Sequence, residues 1–432
     1  MKKILRFALG LVHTTIESVE IADGSILVKV RPHKRYQHRC PHCNKAAPVY
    51  DAMPCARRWR TLDLGGIRCH LEYRLCRVAC LEHGVHVEDV PWARPGSWFT
   101  RGFEDEVAWL SVHCTRSVVA ELMRIDWKSV GSVCRRVHDD LEADHGSSRF
   151  DGLVRIGVDE TSYKKGHKYM TIVVDHDRNR VVWAAKGHGK AQLDSFFSML
   201  SPEQRASIRV VSADGARWIA DAVDEWCPSA VRVMDPFHVV SWATDALDEL
   251  RKQAWRDARK GASGSRGKKR GRPRTGEERP PDKAKRVKGA RFPLLKNPED
   301  LTEAQASTLA AIAREDKRLY RGYLLKERLR DVFKAADGDE AAARLDSWLA
   351  SACRSRIPEF VELSRKVRRR RDSIIAAVEC GISNARVEAI NNKIKVTIRM
   401  GYGFRNIDNL IALIMLRCSD LKPTLPGRAH AA

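Results

Sequence analysis

The stretch Val154–Tyr163 places the strongest constraint on how this chain can fold. Val154, Ile156 and Val158 alternate as residues on one face of a β-strand do, and the apolar run stops at Asp159. In open α/β sheets, ligands bind at the carboxyl ends of the strands. We therefore predict that Asp159 stands at the end of a strand and is a candidate metal ligand.

Residues 168–259 continue this pattern with further strands and helices. The predicted strands are Lys168–Asp175, Arg180–Ala185, Ile208–Asp214 and Val231–Asp235, and the predicted helices are Gln192–Leu200, Gly215–Trp226 and Phe237–Arg259. Short links join the first three strands, which predicts an antiparallel meander. The whole order is that of a ribonuclease H-like α/β core, in which the first and fourth strands are neighbours. Asp159 and Asp214 would then meet at one edge of the sheet, where two carboxylates can hold a divalent metal ion.

Near the carboxyl end of the chain, the helix predicted to begin at Ala385 has one polar side. That side carries Glu388, Asn391, Asn392 and Lys395, opposite Ile390 and Ile394. A carboxylate with amides and a cation one turn away suits a metal ligand beside the path of a phosphate backbone. We therefore predict DNA contacts at Asn392 and Lys395.

Short motifs in these segments resemble those of DDE transposases. Gly157-Val-Asp-Glu160, Ser212-Ala-Asp-Gly215 and Asp235-Pro-Phe-His238 are similar to core motifs of the ISL3 family of insertion sequences. The stretch from Ser383 to Asn406 resembles that family's signature around its catalytic glutamate, and the resemblance gives this role to Glu388. The resemblance covers nearly the whole chain.

The resemblance implies a DNA transposase with a two-metal active site. Asp159, Asp214 and Glu388 would hold two Mg²⁺ ions, or Mn²⁺, for in-line displacement at phosphorus. His238 would contact the scissile phosphate or a flipped base, and Glu160 and Asp235 would support the metal ligands. The implied partners are double-stranded DNA, both as terminal inverted repeats and as target, and a second copy of the chain in a homodimer.

Two close pairs of cysteines precede the predicted core. The pairs are Cys40 with Cys43, and Cys76 with Cys80. Four soft ligands in two pairs suit a tetrahedral, structural zinc ion, with His83 as the alternative to Cys80 for the fourth position. Free buried cysteines are the competing interpretation, which we adopt for Cys55 and Cys69. The surrounding arginines indicate a module that contacts DNA phosphates.

Residues 100–140 predict a helix-turn-helix. A helix over Glu104–His113 is followed by two short amphipathic helices that divide around Arg124–Asp126. Ser117 or Thr115 would cap the first of them, and Asp126 the second. The second helix would present Lys128, Ser129, Ser132, Arg135 and Arg136 to DNA, as a recognition helix does. An ordinary helical hairpin is the alternative.

The charge of the chain points to the same class of partner. A formal net charge of +23 and a pI near 9.7 favour a polyanion, most simply nucleic acid, over a generally basic enzyme. Composition predicts a basic, disordered linker at 261–292. Within it, Arg270, Arg272 and Arg274 belong to a motif that resembles an AT-hook and would enter a minor groove. A solvated linker is the alternative there.

The predicted organisation has six parts. They are a zinc-binding module at 1–98, a helix-turn-helix at 99–145, the first part of the ribonuclease H-like core at 150–260, the linker at 261–292, a helical insertion at 293–380, and closing helices with Glu388 at 381–425. The predicted insertion helices are Ala304–Glu315, Lys317–Phe333, Asp339–Ser351 and Pro358–Val378. No run approaches the ~18 consecutive apolar residues that cross a bilayer. We expect a cytoplasmic, nucleoid-associated protein.

Two other classes of function are also compatible with the sequence. A zinc-finger and helix-turn-helix regulator would explain the amino-terminal third and the charge, but it needs no acidic triad. A structure-specific nuclease would share the metal site, but it has less use for regions that read DNA sequence.

Overall fold

Three regions follow one another along the chain: a β-rich amino-terminal module, a helix-turn-helix, and an α/β core interrupted by helices. The computed structural model describes residues 2–164, 166, 168–264, 283–382, 384–401 and 403–428, with the backbone alone at 261–264 and 384–388. The predicted fold class is confirmed.

The amino-terminal module contains one α-helix, a short 3-10 helix (Lys34–Tyr36) and two small sheets. Its elements are α1 (Lys2–Ala8), β1 (Thr14–Ala22), β2 (Ser25–Pro32), β3 (Val49–Ala52), β4 (Arg57–Leu64), β5 (Ile67–Tyr73), β6 (Cys76–Cys80) and β7 (Gly84–Val87). One sheet has the order β1-β2-β5-β4 and the other the order β3-β6-β7. Buried Val28, Trp59 and Leu71 form part of the core of the first sheet.

Strands β1 and β2 form a hairpin. Asp23 and Gly24 have φ angles of 48° and 65°, which suit a two-residue hairpin turn, and Ala22 lies opposite Ser25. An Asp-Gly pair between apolar runs is a known turn signal, and here it places the turn between β1 and β2.

The helix-turn-helix consists of α2 (Arg101–His113), α3 (Arg116–Met123) and α4 (Trp127–His145). Thr115, rather than Ser117, caps α3 by accepting a hydrogen bond from the amide of Val118. Asp126 caps α4 by accepting from the amide of Lys128 at 2.7 Å. These caps fix where each helix begins, as predicted.

The α/β core is built on one five-stranded sheet. Its first elements are β8 (Arg155–Lys164), β9 (Lys168–Asp175), β10 (Arg180–Lys186), α5 (Lys190–Ser198), α6 (Pro202–Ser207), β11 (Val210–Ala213), α7 (Arg217–Trp226) and β12 (Val231–Met234). The strand order is β10-β9-β8-β11-β12, with β8 antiparallel to β9 and parallel to β11. The first and fourth strands are therefore neighbours, as the order of elements predicted.

The prediction that Asp159 ends its strand is wrong. Strand β8 continues to Lys164, because its pairing with β9 extends beyond its pairing with β11. The pairing with β11 stops at Gly157, opposite Ser212. Asp159 thus lies two residues past the point where the neighbouring parallel strand stops.

The long helix α8 (Pro236–Gly264) leaves the sheet and enters an all-helical insertion. The other insertion helices are α9 (Lys283–Gly289), α10 (Arg291–Leu295), α11 (Glu303–Glu315), α12 (Lys317–Val332), α13 (Gly338–Cys353), α14 (Pro358–Arg368) and α15 (Arg371–Glu379). Val239, Ala243 and Leu247 of α8 are buried against this block.

Two predictions about this region are wrong. Residues 283–292, assigned to the linker, are mostly helical, because Val287 and Ala290 are buried in the helical core. The helix predicted over Pro358–Val378 divides into α14 and α15 at Arg369 and Arg370. The side chain of Arg370 points back to the sheet, where it lies 3.4 Å from the carbonyl oxygen of Gly215.

The last two helices, α16 (Asn384–Met400) and α17 (Ile407–Cys418), complete the core. Val173 packs on the face of the sheet that α5 and α7 cover. Its neighbours Ile172 and Val174 pack on the opposite face, against Ile390 and Ile394 of α16 and against α17. The core therefore has three layers. Among the helices that the structure describes, none has both the length and the apolar character needed to cross a membrane.

Candidate active site and zinc centre

Asp159 and Asp214 come from neighbouring parallel strands. Gly157 pairs with Ser212, so Asp159 and Asp214 occupy equivalent positions two residues further along. Asp214 directly follows β11, and its carboxylate accepts a hydrogen bond from the amide of Ala216 at 2.9 Å. The structure thus places the two predicted aspartates at the same edge of the sheet.

Hydrogen bonds and one close histidine fix the carboxylate of Asp159. Its Oδ1 accepts from the amide of Glu160 at 2.8 Å, and its Oδ2 accepts from the side-chain amide of Asn391 at 2.7 Å. The Nε2 atom of His238 lies 3.7 Å from Asp159 Oδ1 and 3.9 Å from Asp235 Oδ2. Segments separated by up to 232 residues in sequence meet at this carboxylate.

The surrounding carboxyl groups repel one another. Burial, together with the charges of Asp159 and Asp214, raises the pKa of the Asp235 carboxyl. Burial and the charge of Asp214 also raise the pKa of Glu160. Burial alone would lower the pKa of His238, but its contact with Asp159 and the charge of Asp235 outweigh burial and raise that pKa. Crowded, partly buried oxygen donors of this kind fit a hard divalent cation such as Mg²⁺.

Glu388 lies on α16, one helical turn before Asn391. Its backbone is within the described helix, whereas its side chain lies outside the described residues. Because residues three apart share a helix face, the contact of Asn391 with Asp159 brings the turn that carries Glu388 to the aspartates.

Lys366 and Arg370 of the helical insertion lie beside Asp214, although neither was among the predicted site residues. The Nζ atom of Lys366 lies 3.5 Å from the centre of the Trp242 ring, and the guanidinium of Arg370 lies 5.5 Å from it. Burial lowers the pKa of Lys366, while the charge of Asp214 acts in the opposite direction. The basic run that contains them was visible in the sequence, but only the fold shows which members face the sheet.

Four metal-ligating side chains converge in the amino-terminal module: Cys40, Cys43, Cys80 and His83. The Sγ atoms of Cys43 and Cys80 are 3.7 Å apart, and the Nδ1 atom of His83 lies 3.6 Å from Cys80 Sγ and 3.8 Å from Cys40 Sγ. Ligand atoms around tetrahedral zinc, with bonds of about 2.0–2.3 Å, are separated by roughly 3.5–3.8 Å. The cluster therefore has the composition and spacing of a structural zinc site.

Cys76, expected among the ligands, is not in this cluster. It begins β6 whereas Cys80 ends it, and residues four apart in a strand are separated by about 13 Å. Cys76 instead lies in a group with His38 and the buried Glu88, which accepts a hydrogen bond from the Cys76 amide at 2.7 Å. His83, given as an alternative, is present together with Cys80 rather than in its place.

The expected DNA-contacting face of α4 is only partly exposed. Lys128 and Arg135 are exposed, whereas Ser129 and Ser132 are half-buried, and the Ser132 hydroxyl donates to the carbonyl of Ser129. The prediction that Arg136 points outward is wrong. Its guanidinium pairs with the fully buried carboxylate of Glu104, which also binds Arg94 and Ser97.

The remaining predicted DNA contacts lie elsewhere. Asn392 and Lys395 are exposed on α16. Arg270, Arg272 and Arg274 lie outside the described residues.

Comparisons with known proteins agree across the three regions. A model of a zinc finger of the transposases of IS204, IS1001, IS1096 and IS1165 matches residues 37–83. A model of the helix-turn-helix domain of transposase family ISL3 matches residues 88–138, and a transposase model matches residues 156–414.

Individual relatives resemble the chain over most of its length. The transposase for insertion sequence element IS1557 of Mycobacterium tuberculosis is 48% identical over 437 aligned positions, which cover 99% of this chain and 97% of the relative. The transposase for IS1001 of Bordetella parapertussis is 24% identical over 353 positions, or 81% of each protein. With its zinc finger, helix-turn-helix and DDE core in the same order, the chain belongs to the ISL3 family of transposases.

Proposed function

We propose that this transposase binds the terminal inverted repeats of an insertion sequence, cleaves the DNA at their ends and joins the freed 3′-end to target DNA. The observation that carries the proposal is the meeting of Asp159, Asp214 and the helix of Glu388 at one end of the central sheet. Burial, together with the negative charge of neighbouring carboxylates, raises the pKa values of Asp235 and Glu160, and a bound cation would offset that charge.

Asp159, Asp214 and Glu388 would hold two Mg²⁺ or Mn²⁺ ions. When bound, such ions activate a water or a 3′-hydroxyl and stabilise the leaving oxygen of an in-line displacement. Asn391 holds the Asp159 carboxylate in one orientation, and His238 presents Nε2 beside it to a DNA phosphate.

Lys366 and Arg370 place positive charge next to Asp214, where the DNA backbone must approach the carboxylates. Cations at this position offset the repulsion between the phosphates and the aspartates.

The amino-terminal regions would recognise the DNA. A zinc ion held by Cys40, Cys43, Cys80 and His83 would stabilise a module too small for a large core. Lys128, Ser129, Ser132 and Arg135 of α4 would contact the terminal repeat. Because two ends must be brought together before joining, we also propose that the protein acts as a homodimer.

The test incubates the full-length protein with Mg²⁺ and labelled duplex DNA from the flanks of its own coding sequence. Wild type should nick at the ends and join the 3′-ends to a target plasmid. Asp214→Asn and Glu388→Gln should each slow cleavage roughly a thousandfold, since a metal ligand supports several kcal/mol of charge stabilisation. Asp221→Asn, on the exposed side of α7, is the matched control and should cleave at the wild-type rate.

The other outcomes separate the competing functions. Equal nicking by wild type and Glu388→Gln would remove Glu388 from the site. Nicking without joining would indicate a structure-specific nuclease. A protein that binds the ends, never cleaves them and is unaffected by Asp214→Asn would be a DNA-binding regulator.

A further inference from the structure

A cleft of about 1000 Å³ lies between the helix-turn-helix and the α/β core. One wall comes from the starts of α3 and α4, with Arg116, Ser117, Trp127 and Lys128. The other wall comes from the end of β8, with Tyr163 and Lys164, and from described residues at the end of α16, in the link that follows it and at the start of α17. Those residues are Met400, Gly401, Gly403, Phe404, Arg405, Asn406 and Asn409. We call it the basic cleft.

The described lining residues of the basic cleft include four cations and no carboxylate. The cations are Arg116, Lys128, Lys164 and Arg405. Lys128, Lys164 and Arg405 are exposed, and no ion pair with a carboxylate occupies any of the four within the described part of the chain. Positive charge that faces one cleft from two separate regions favours a polyanion as the occupant.

Aromatic side chains lie between these cations. Trp127, the first residue of α4, is 48% exposed. The guanidinium of Arg116 lies 5.6 Å from the centre of the Trp127 ring and 5.0 Å from that of Phe404, so it connects the two walls. Trp127 is therefore open to the cleft, whereas the buried Phe404 ring contacts Arg116 from the wall of the core.

Strand β8 connects the basic cleft with the aspartates, so its length gives the distance between them. Lys164 stands five residues after Asp159 on the same strand, which corresponds to roughly 16 Å. Successive base pairs along duplex DNA are about 3.4 Å apart. The basic cleft and the aspartates are therefore about five base pairs apart along a duplex that follows β8.

We propose that the basic cleft holds the phosphate backbone of the terminal duplex, about five base pairs from the bond that is cut. This inference rests on the proposed function and adds two residues of the core, Lys164 and Arg405, to the DNA contacts proposed for the helix-turn-helix and the carboxylates. Recognition at α4 and cutting at Asp159 would then share one surface, and Lys164 and Arg405 of the core would contribute to binding the transposon end.

The test measures the affinity of the full-length protein for the same labelled end duplex, without Mg²⁺, over a series of salt concentrations. Lys164→Ala and Arg405→Ala should each weaken binding and reduce the slope of log K against log salt by about 1. Arg209→Ala is the matched control, because Arg209 is exposed at the opposite end of β11 from Asp214. It should leave affinity and slope unchanged.

Neutral methylphosphonate linkages in the duplex locate the contact. Replacement of the phosphates about five base pairs from the cut should weaken binding by wild type. Lys164→Ala should bind this neutralised duplex no more weakly than it binds the unmodified one. If Lys164→Ala and Arg405→Ala bind like Arg209→Ala, the basic cleft is not a DNA contact, whatever the cleavage assay shows. If they lose affinity while wild type fails to cleave, the cleft contact stands and the proposed catalytic function fails.

Discussion

Asn391 and Asn392 are adjacent in sequence but have different surroundings. Asn391 donates to Asp159 Oδ2 at 2.7 Å, whereas Asn392 is exposed. One step along an α-helix rotates a side chain by about 100°. This rotation separates a side chain that contacts the Asp159 carboxylate from one that faces solvent. Under the proposed function, Asn391 would support catalysis and Asn392 would bind DNA.

Asn391→Ala should slow cleavage and raise the Mg²⁺ concentration needed for half-maximal rate by about 10- to 100-fold, the usual cost of losing a partner of a metal ligand. Its affinity for end DNA without Mg²⁺ should stay at the wild-type value. Asn392→Ala, the matched control, should keep the Mg²⁺ requirement and weaken DNA binding. Initial rates over a Mg²⁺ series, with anisotropy for affinity, check both. An unchanged Mg²⁺ requirement in Asn391→Ala would contradict the role of Asn391.

At the scale of single elements, the zinc ligands show how strand geometry selects among cysteines. Cys76 and Cys80 are at opposite ends of β6, so only Cys80 reaches the cluster. The turn after β6 then brings His83 back within 3.6 Å of Cys80. The zinc pair is therefore Cys80 with His83, spaced like Cys40 with Cys43.

The ligand set predicts the metal content of variants. Cys80→Ser and His83→Ala should lose the bound zinc and, with it, the fold of the module and most affinity for end DNA. Cys76→Ser should retain one zinc ion per chain. The control Cys55→Ser should also retain it, because Cys55 lies outside the cluster and is exposed, contrary to the prediction that it is buried. Zinc per chain, measured by atomic absorption on purified protein, checks this. Zinc loss in Cys76→Ser with retention in His83→Ala would contradict the assignment.

Local periodicity predicted the elements well where contacts are local. The order of strands and helices over 154–259 implied that β8 and β11 are neighbours, and this brings Asp159 and Asp214 together. The end of β8 was not predictable in this way, because distant pairing with β9 extends it to Lys164. Arg136 faces inward for a similar reason, since the buried carboxylate of Glu104, 32 residues away, pairs with it as well as with Arg94.

At the scale of the whole molecule, the last helix joins the helix-turn-helix to the core. Leu416 of α17 is fully buried within the cluster formed by Phe103, Val119 and Val133 of the helix-turn-helix. Gly131 of α4 allows this approach, because a Cβ atom there would overlap the side chain of Asn409 on α17. This packing joins α4 to the core. Under the proposed function it would hold α4 at a fixed distance from the aspartates, as a cut at a defined distance from the recognised sequence requires.

Leu416→Ala should therefore destabilise the helix-turn-helix and the core together. The loss of a buried leucine costs about 2–5 kcal/mol, depending on how far the cavity collapses. Leu122→Ala, at a 60% exposed position on α3, should change stability by no more than about 0.5 kcal/mol. Calorimetry of the full-length proteins checks this. We expect one shared unfolding transition, and its midpoint temperature should be lower in Leu416→Ala than in wild type. Wild type could instead show two separate transitions, of which Leu416→Ala moves only one. The two regions would then fold independently, and the packing of α17 would not fix the distance between α4 and the aspartates.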